Sequence, residues 1–68
     1  MVKWCLIATD DDFEKYYTGK KYIYQGKPYA VLSLNKDDAK IYSSGRHAYR
    51  SADMLKFENC SLKADFFI

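Results

Sequence analysis

Residues 35–57, NKDDAKIYSSGRHAYRSADMLKF, decide how this chain reads. They are the one stretch with sustained helical periodicity, while the residues before them mostly alternate like strands. Asn35 with Asp38 three residues on resembles a capped first turn, and Ser43, Ser44 and Gly45 interrupt the pattern soon after. The spacing therefore predicts only a short turn around 36–39, then a short extended segment at 40–42. Ser44 is the better N-cap for the main helix, which runs to about Lys56. At about 100° per residue, Ala48, Tyr49, Ala52 and Leu55 share one face. Arg46, Arg50 and Asp53 lie opposite, with His47 and Met54 beside them. Small Ala48 and Ala52 let such a helix approach a sheet closely, with Tyr49 and Leu55 filling the flanks.

Outward from this helix, the chain reads as strands. Val2, Trp4, Leu6 and Ala8 alternate with Lys3, Cys5 and Ile7, and both sets are largely apolar after Lys3. That suits a central strand covered on one face and partly shielded on the other. Residues 9–12 form an acidic turn; a calcium loop would need a glycine and spaced carboxylates. Residues 13–18 predict the next strand, Gly19-Lys20 a turn, and residues 22–25 a third strand. Gly26-Lys27-Pro28 is the clearest turn signal, and residues 29–34 follow as another strand. Beyond the helix, Glu58-Asn59 closes it and residues 61–68 return as a final strand. Its apolar Phe-Phe-Ile end predicts pairing inside the sheet. The expected fold is α+β, a single compact domain over residues 1–68. Its core is a small antiparallel β-sheet of four to five strands packed against one α-helix.

Composition narrows the class. With 68 residues the chain holds one small core, and 49% apolar with 18% aromatic residues argues against disorder. Seven Tyr against four Phe and one Trp suits a sheet too small to hide both faces, because Tyr packs its ring while its hydroxyl stays wet. No apolar run approaches the roughly 20 residues of a membrane span. MVKWCLIATDDD reads as a strand, with no small-residue cleavage site of a signal peptide. Cys5 and Cys60 are too few for a secreted disulfide framework and predict small buried thiols in a cytoplasmic protein. They could pair only if the first and last strands held them at matching heights. Net charge is +2, too modest by itself to imply nucleic acid. Between residues 13 and 36, however, five lysines against Glu14 alone leave a local excess of 5 − 1 = +4.

Catalytic groupings are thin. His47 is the sole histidine, and a Cys5–His47 pair would have neither an orienting group nor a glycine-rich oxyanion loop. His47, Ser51 and Asp53 make no triad, because Asp53 projects away from His47 on a helix. Zinc needs about four ligands, and one His with two distant Cys falls short. No phosphate-binding glycine loop is present. The expectation is a non-enzyme without metal or cofactor that works by binding. The leading surface is the outward helix face, Arg46, His47, Arg50 and Met54, since Arg and Met are enriched at interfaces with proteins. The alternative is KYYTGKKYIYQGK, residues 15–27, as a single-stranded nucleic-acid site. There Tyr17, Tyr22 and Tyr24 would stack bases while Lys15, Lys20, Lys21 and Lys27 follow phosphates. Tyr and Lys are also ordinary solvent-face residues of a small sheet. A loose sheet edge would further allow a homodimer.

Tyr16-Tyr17-Thr18-Gly19, Tyr29, then Asp38-Ala39-Lys40-Ile41-Tyr42-Ser43 and Ala48 together form a pattern that resembles many small phage- and prophage-encoded accessory proteins. The pattern covers about residues 4–55 and identifies no active site. The resemblance implies an antiparallel sheet with one helix, a D-A-K-x-[FY]-x-S segment preceding it. It also implies a role of the kind some small phage proteins have, stoichiometric inhibition of host machinery, anti-CRISPR and other anti-defence proteins included. The mildly basic charge argues against simple mimicry of DNA.

Overall fold

The computed structural model describes residues 2–9 and 13–67. In chain order these form β1 (Lys3–Ala8), β2 (Lys15–Tyr24), β3 (Lys27–Ser33), a 3-10 turn (Lys36–Asp38), α1 (Gly45–Met54) and β4 (Leu62–Phe67). The strands make one antiparallel sheet in the order β3-β2-β1-β4, and α1 packs over β1 and β4. The α+β architecture is the one expected, with four strands. The acidic turn at 10–12 and the last residue of the expected final strand lie outside the described residues.

β1 is the central strand, and its two apolar sets are both used. Leu6 and Ala8 join Tyr17, Ala30, Tyr42, Ala48, Cys60 and Ala64 in the core beneath the helix, with Trp4 packed against it. Cys5 and Ile7 are buried on the opposite face with Ala39, against Tyr16 and Phe67. Much of the helix-side core is alanine, so the helix backbone and the sheet come close together. Gly45 carries this furthest: a Cβ there would sit 2.7 Å from the Trp4 indole. What reads locally as a break is the first residue of the helix, left bare so that Trp4 can pass beneath it.

The helix begins where its cap predicts. The Ser44 side chain accepts the His47 N–H at 3.1 Å. It ends at Met54, two residues early, with the Leu55 N–H donating to the Ser51 carbonyl. Before it, Asn35 caps the 3-10 turn by accepting the Asp37 N–H at 3.0 Å, and the Ser33 hydroxyl donates to Asp38. The extended segment expected at 40–42 is present and inserts between two strands. The Lys40 N–H donates to the Tyr17 carbonyl at 2.9 Å. Trp4 and Tyr42 exchange both backbone hydrogen bonds, at 2.9 and 2.7 Å. Here β1 and β2 have parted, and residues 40–42 fill the gap.

Four expectations are corrected. Residues 13–18 and 22–25 are not separate strands, because β2 runs unbroken from Lys15 to Tyr24 and leaves Phe13 outside it. Gly19 marks a bulge instead of a turn. Residues 18–20 of β2 oppose Val31 alone, Gly19 takes a positive φ of 87°, and the Thr18 hydroxyl holds the strands together by donating to the Val31 carbonyl at 2.8 Å. The reversal that follows sits at Gln25-Gly26, both with positive φ, one residue before the expected turn. Pro28 lies within β3 and costs the ladder nothing, since its backbone faces outward and its carbonyl accepts the Glu58 N–H at 3.0 Å. Finally, β4 does not lie inside the sheet. It pairs with β1 along its length and forms an outer edge.

Candidate binding surfaces

The outward helix face keeps its four residues together at the surface. Arg46, His47, Arg50 and Met54 are all exposed, Met54 at 71%. His47 is held more firmly than its neighbours: its backbone is bonded by the Ser44 cap and its ring stands edge-on to Tyr42 at 5.2 Å. Arg46 and Arg50 lie one turn apart and present two fixed positive charges. Tyr49, expected on the inner face, is exposed and leans on Trp4 with ring centroids 5.6 Å apart. Ala48 alone fills the centre of the contact, so a bulky ring is displaced to the flank.

The second set is divided by the register of the sheet. Beyond the bulge, β2 and β3 continue as a two-stranded arm, and the described residues extend 40 Å along their longest axis. Tyr22 pairs with Tyr29 and Tyr24 with Lys27, which puts these four on the face away from the helix. Lys21 and Ile23 pair with Ala30 and Pro28 and point to the other face. Lys20 sits at the bulge and is exposed. The Tyr22 and Tyr29 rings stack at 5.4 Å and 11°, with Tyr24 edge-on to Tyr29 at 6.1 Å. Tyr22, Ile23 and Tyr24 are 51%, 64% and 57% exposed.

Two members of the set lie elsewhere. Tyr17 is buried in the helix-side core with its ring against Phe57 at 5.5 Å, so it offers no face for a base. Burial, with Tyr42 and Cys60 beside it, pushes its phenol above the ordinary value of 10.0. Lys15 is half-buried at the far end of β2, opposite Ala8. Two residues of the arm escape a reading of the sequence. Tyr29 belongs to the tyrosine face only because the hairpin turns at residues 25–26, and Ile23 is exposed although its chemistry suggests a core. A two-residue turn placed at Gln25-Gly26 would have predicted the Tyr22–Tyr29 pair.

The cysteines lie on opposite faces of the sheet, Cys5 away from the helix and Cys60 beneath it, and no disulfide joins them. The sheet likewise separates Cys5 from His47. Burial raises the Cys5 pKa, with Asp65 and Glu14 adding to it, so this thiol is held in its unreactive protonated form. Among the described residues, no group of three His, Cys, Asp or Glu side chains gathers as metal ligands would, and no helix is long and apolar enough to cross a membrane. No family model, curated protein or solved structure matches this chain.

Proposed function

We propose that this chain is a small binding protein that acts by stoichiometric contact with a partner protein. Its resemblance to phage accessory proteins suggests inhibition of a bacterial defence or host enzyme as the outcome. The observation that supports this reading is the projecting β2–β3 arm. Three large residues, Tyr22, Ile23 and Tyr24, stand more than half exposed there among exposed Lys20, Lys21 and Lys27. Tyrosine gives contact area at low entropic cost, and stacking against Tyr29 pre-orders the face before a partner arrives. The helix face adds Arg46 and Arg50 of the same sign. Both surfaces therefore suit a partner with an acidic patch.

Immobilised wild-type chain in bacterial lysate should retain a partner that a Tyr22→Ser/Ile23→Ser/Tyr24→Ser variant loses. Arg50→Glu/Met54→Asp tests the helix face in parallel. If all three recover the same proteins, the reading fails. A second reading rests on the Tyr22, Tyr24, Tyr29 and Lys27 face, which has the composition of a single-strand nucleic-acid platform. Titration of a labelled oligonucleotide at two salt concentrations separates the two. Binding that falls steeply with salt and weakens in Lys27→Glu, the lysine of that face, supports nucleic acid. The absence of binding at low salt removes it.

A further inference from the structure

We propose that the outer edge of β4 is a self-association surface, through which two copies of this chain join their sheets by antiparallel β4–β4 pairing. β1 is the single hydrogen-bonded neighbour of β4 among the described strands. The direction of the remaining backbone groups follows from Trp4. It commits both its N–H and its carbonyl to Tyr42, on the far side of β1. Its β4 partner, Phe66, is therefore in a non-hydrogen-bonded pair and turns its own N–H and carbonyl outward. Alternation along the strand gives Leu62 and Ala64 the same outward direction. The Phe66 N–H accordingly donates to the Asp65 carboxylate, at 2.8 Å, and not to β1.

An incoming antiparallel strand must match these outward positions to its own. Centring a second β4 on Ala64 does so. Ala64 then faces Ala64, and Leu62 faces Phe66, giving three hydrogen-bonded pairs and about six bonds. Between them Lys63 faces Asp65 of the other copy, and the two-fold axis makes this contact twice. Both are exposed, and both fall at the narrow, non-hydrogen-bonded positions where cross-strand side chains come closest. A shift of register by two residues, which is the smallest allowed, sets Lys63 against Lys63 or Asp65 against Asp65. One register is thus favoured by attraction and its neighbours are opposed by repulsion. The exchange also balances locally. Asp65 gives up the Phe66 N–H to the Leu62 carbonyl of the second copy and receives its Lys63 ammonium instead.

The surroundings of the edge fit the same occupant. Phe66 is 52% exposed although it stacks on Trp4 at 4.4 Å, and the second copy's Leu62 would cover it. A groove of about 360 Å³ between α1 and β4, lined by Tyr49, Ala52, Asp53, Lys56 and Leu62, opens beside the seam, where the second copy's helix would lie.

Sedimentation equilibrium of the wild-type chain over a wide concentration range tests this. The mass should rise with concentration to twice the 8.0 kDa of the chain. Lys63→Asp alone and Asp65→Lys alone should each weaken the dimer about tenfold or more, while the double exchange restores it. Circular dichroism of each variant establishes that these exposed substitutions leave the fold in place. A wild-type chain that stays monomeric up to millimolar concentration overturns the proposal. So does a dimer indifferent to both single variants, or one that the double exchange fails to restore.

Discussion

At the β3 edge, the Asn59 amide closes both backbone groups of Ala30, accepting its N–H and donating to its carbonyl at 3.0 Å each. Next to it the Glu58 N–H meets the Pro28 carbonyl. At the β4 edge, the Phe66 N–H donates to the carboxylate of its own neighbour, Asp65, and its carbonyl meets a long contact from the Cys5 thiol at 4.0 Å. One edge is finished by a loop from elsewhere in the chain, which imitates a further strand. The other is finished by a local contact that costs little to undo. A small sheet always has two edges to protect. Closing one of them through a residue 29 positions away ties the helix-to-β4 loop to the arm and leaves contact on that side to the faces of the hairpin.

The largest expected effect comes from disrupting the helix that covers β1 and β4. Ala48 is fully buried at the centre of the helix contact. Ala48→Asp should cost about 3–5 kcal/mol through an unpaired buried charge, enough to unfold a domain this small. Loss of the cooperative thermal transition would register it. Gly45→Ala acts on the β4 side alone, by forcing a methyl group against Trp4, and should cost about 1–3 kcal/mol in urea unfolding. Asn59→Ala breaks the comparison directly, because it makes the β3 edge as open as the β4 edge. Ala30 is buried, so its unmet N–H and carbonyl should cost about 1–2 kcal/mol, and light scattering should reveal new aggregation. Tyr22→Ser/Tyr24→Ser should change stability least, by less than about 1 kcal/mol, since these rings meet mainly Tyr29. A loss of several kcal/mol in that variant would move the arm's tyrosines from contact surface to scaffold.

Much of the protected part of this fold was legible in the residues. The doubly apolar alternation of Val2–Ala8 identified the central strand, Ser44 announced the helix, and the extended character of Lys40–Tyr42 was visible before its partners were. The edges were not legible. Leu62, Ala64 and Phe66 alternate with polar neighbours in the same way whether a strand has one neighbour or two, so an apolar end suggested an interior place. Asn59 looked like a helix stop, because the amide it imitates belongs to a strand far away in sequence. Within the arm the difficulty was Gly19. A positive-φ glycine followed by lysine serves a turn or a bulge equally, and the choice is made by Thr18 reaching Val31. Splitting β2 there lost the count by twos that sets Tyr17 opposite Tyr22 and Tyr24, and so placed a core residue among the surface ones.

The insertion of residues 40–42 between β1 and β2 also sets an order in time. The β2–β3 hairpin needs only contacts within residues 15–33 and can close as soon as these have been synthesised. β1 must wait. Its Trp4 backbone is unmet until Tyr42 has been added, and its other side until residues 62–67 arrive, more than fifty positions later. The strand that is buried on both faces thus keeps most of its pairing groups open until late, and its outer side is closed only when β4 arrives.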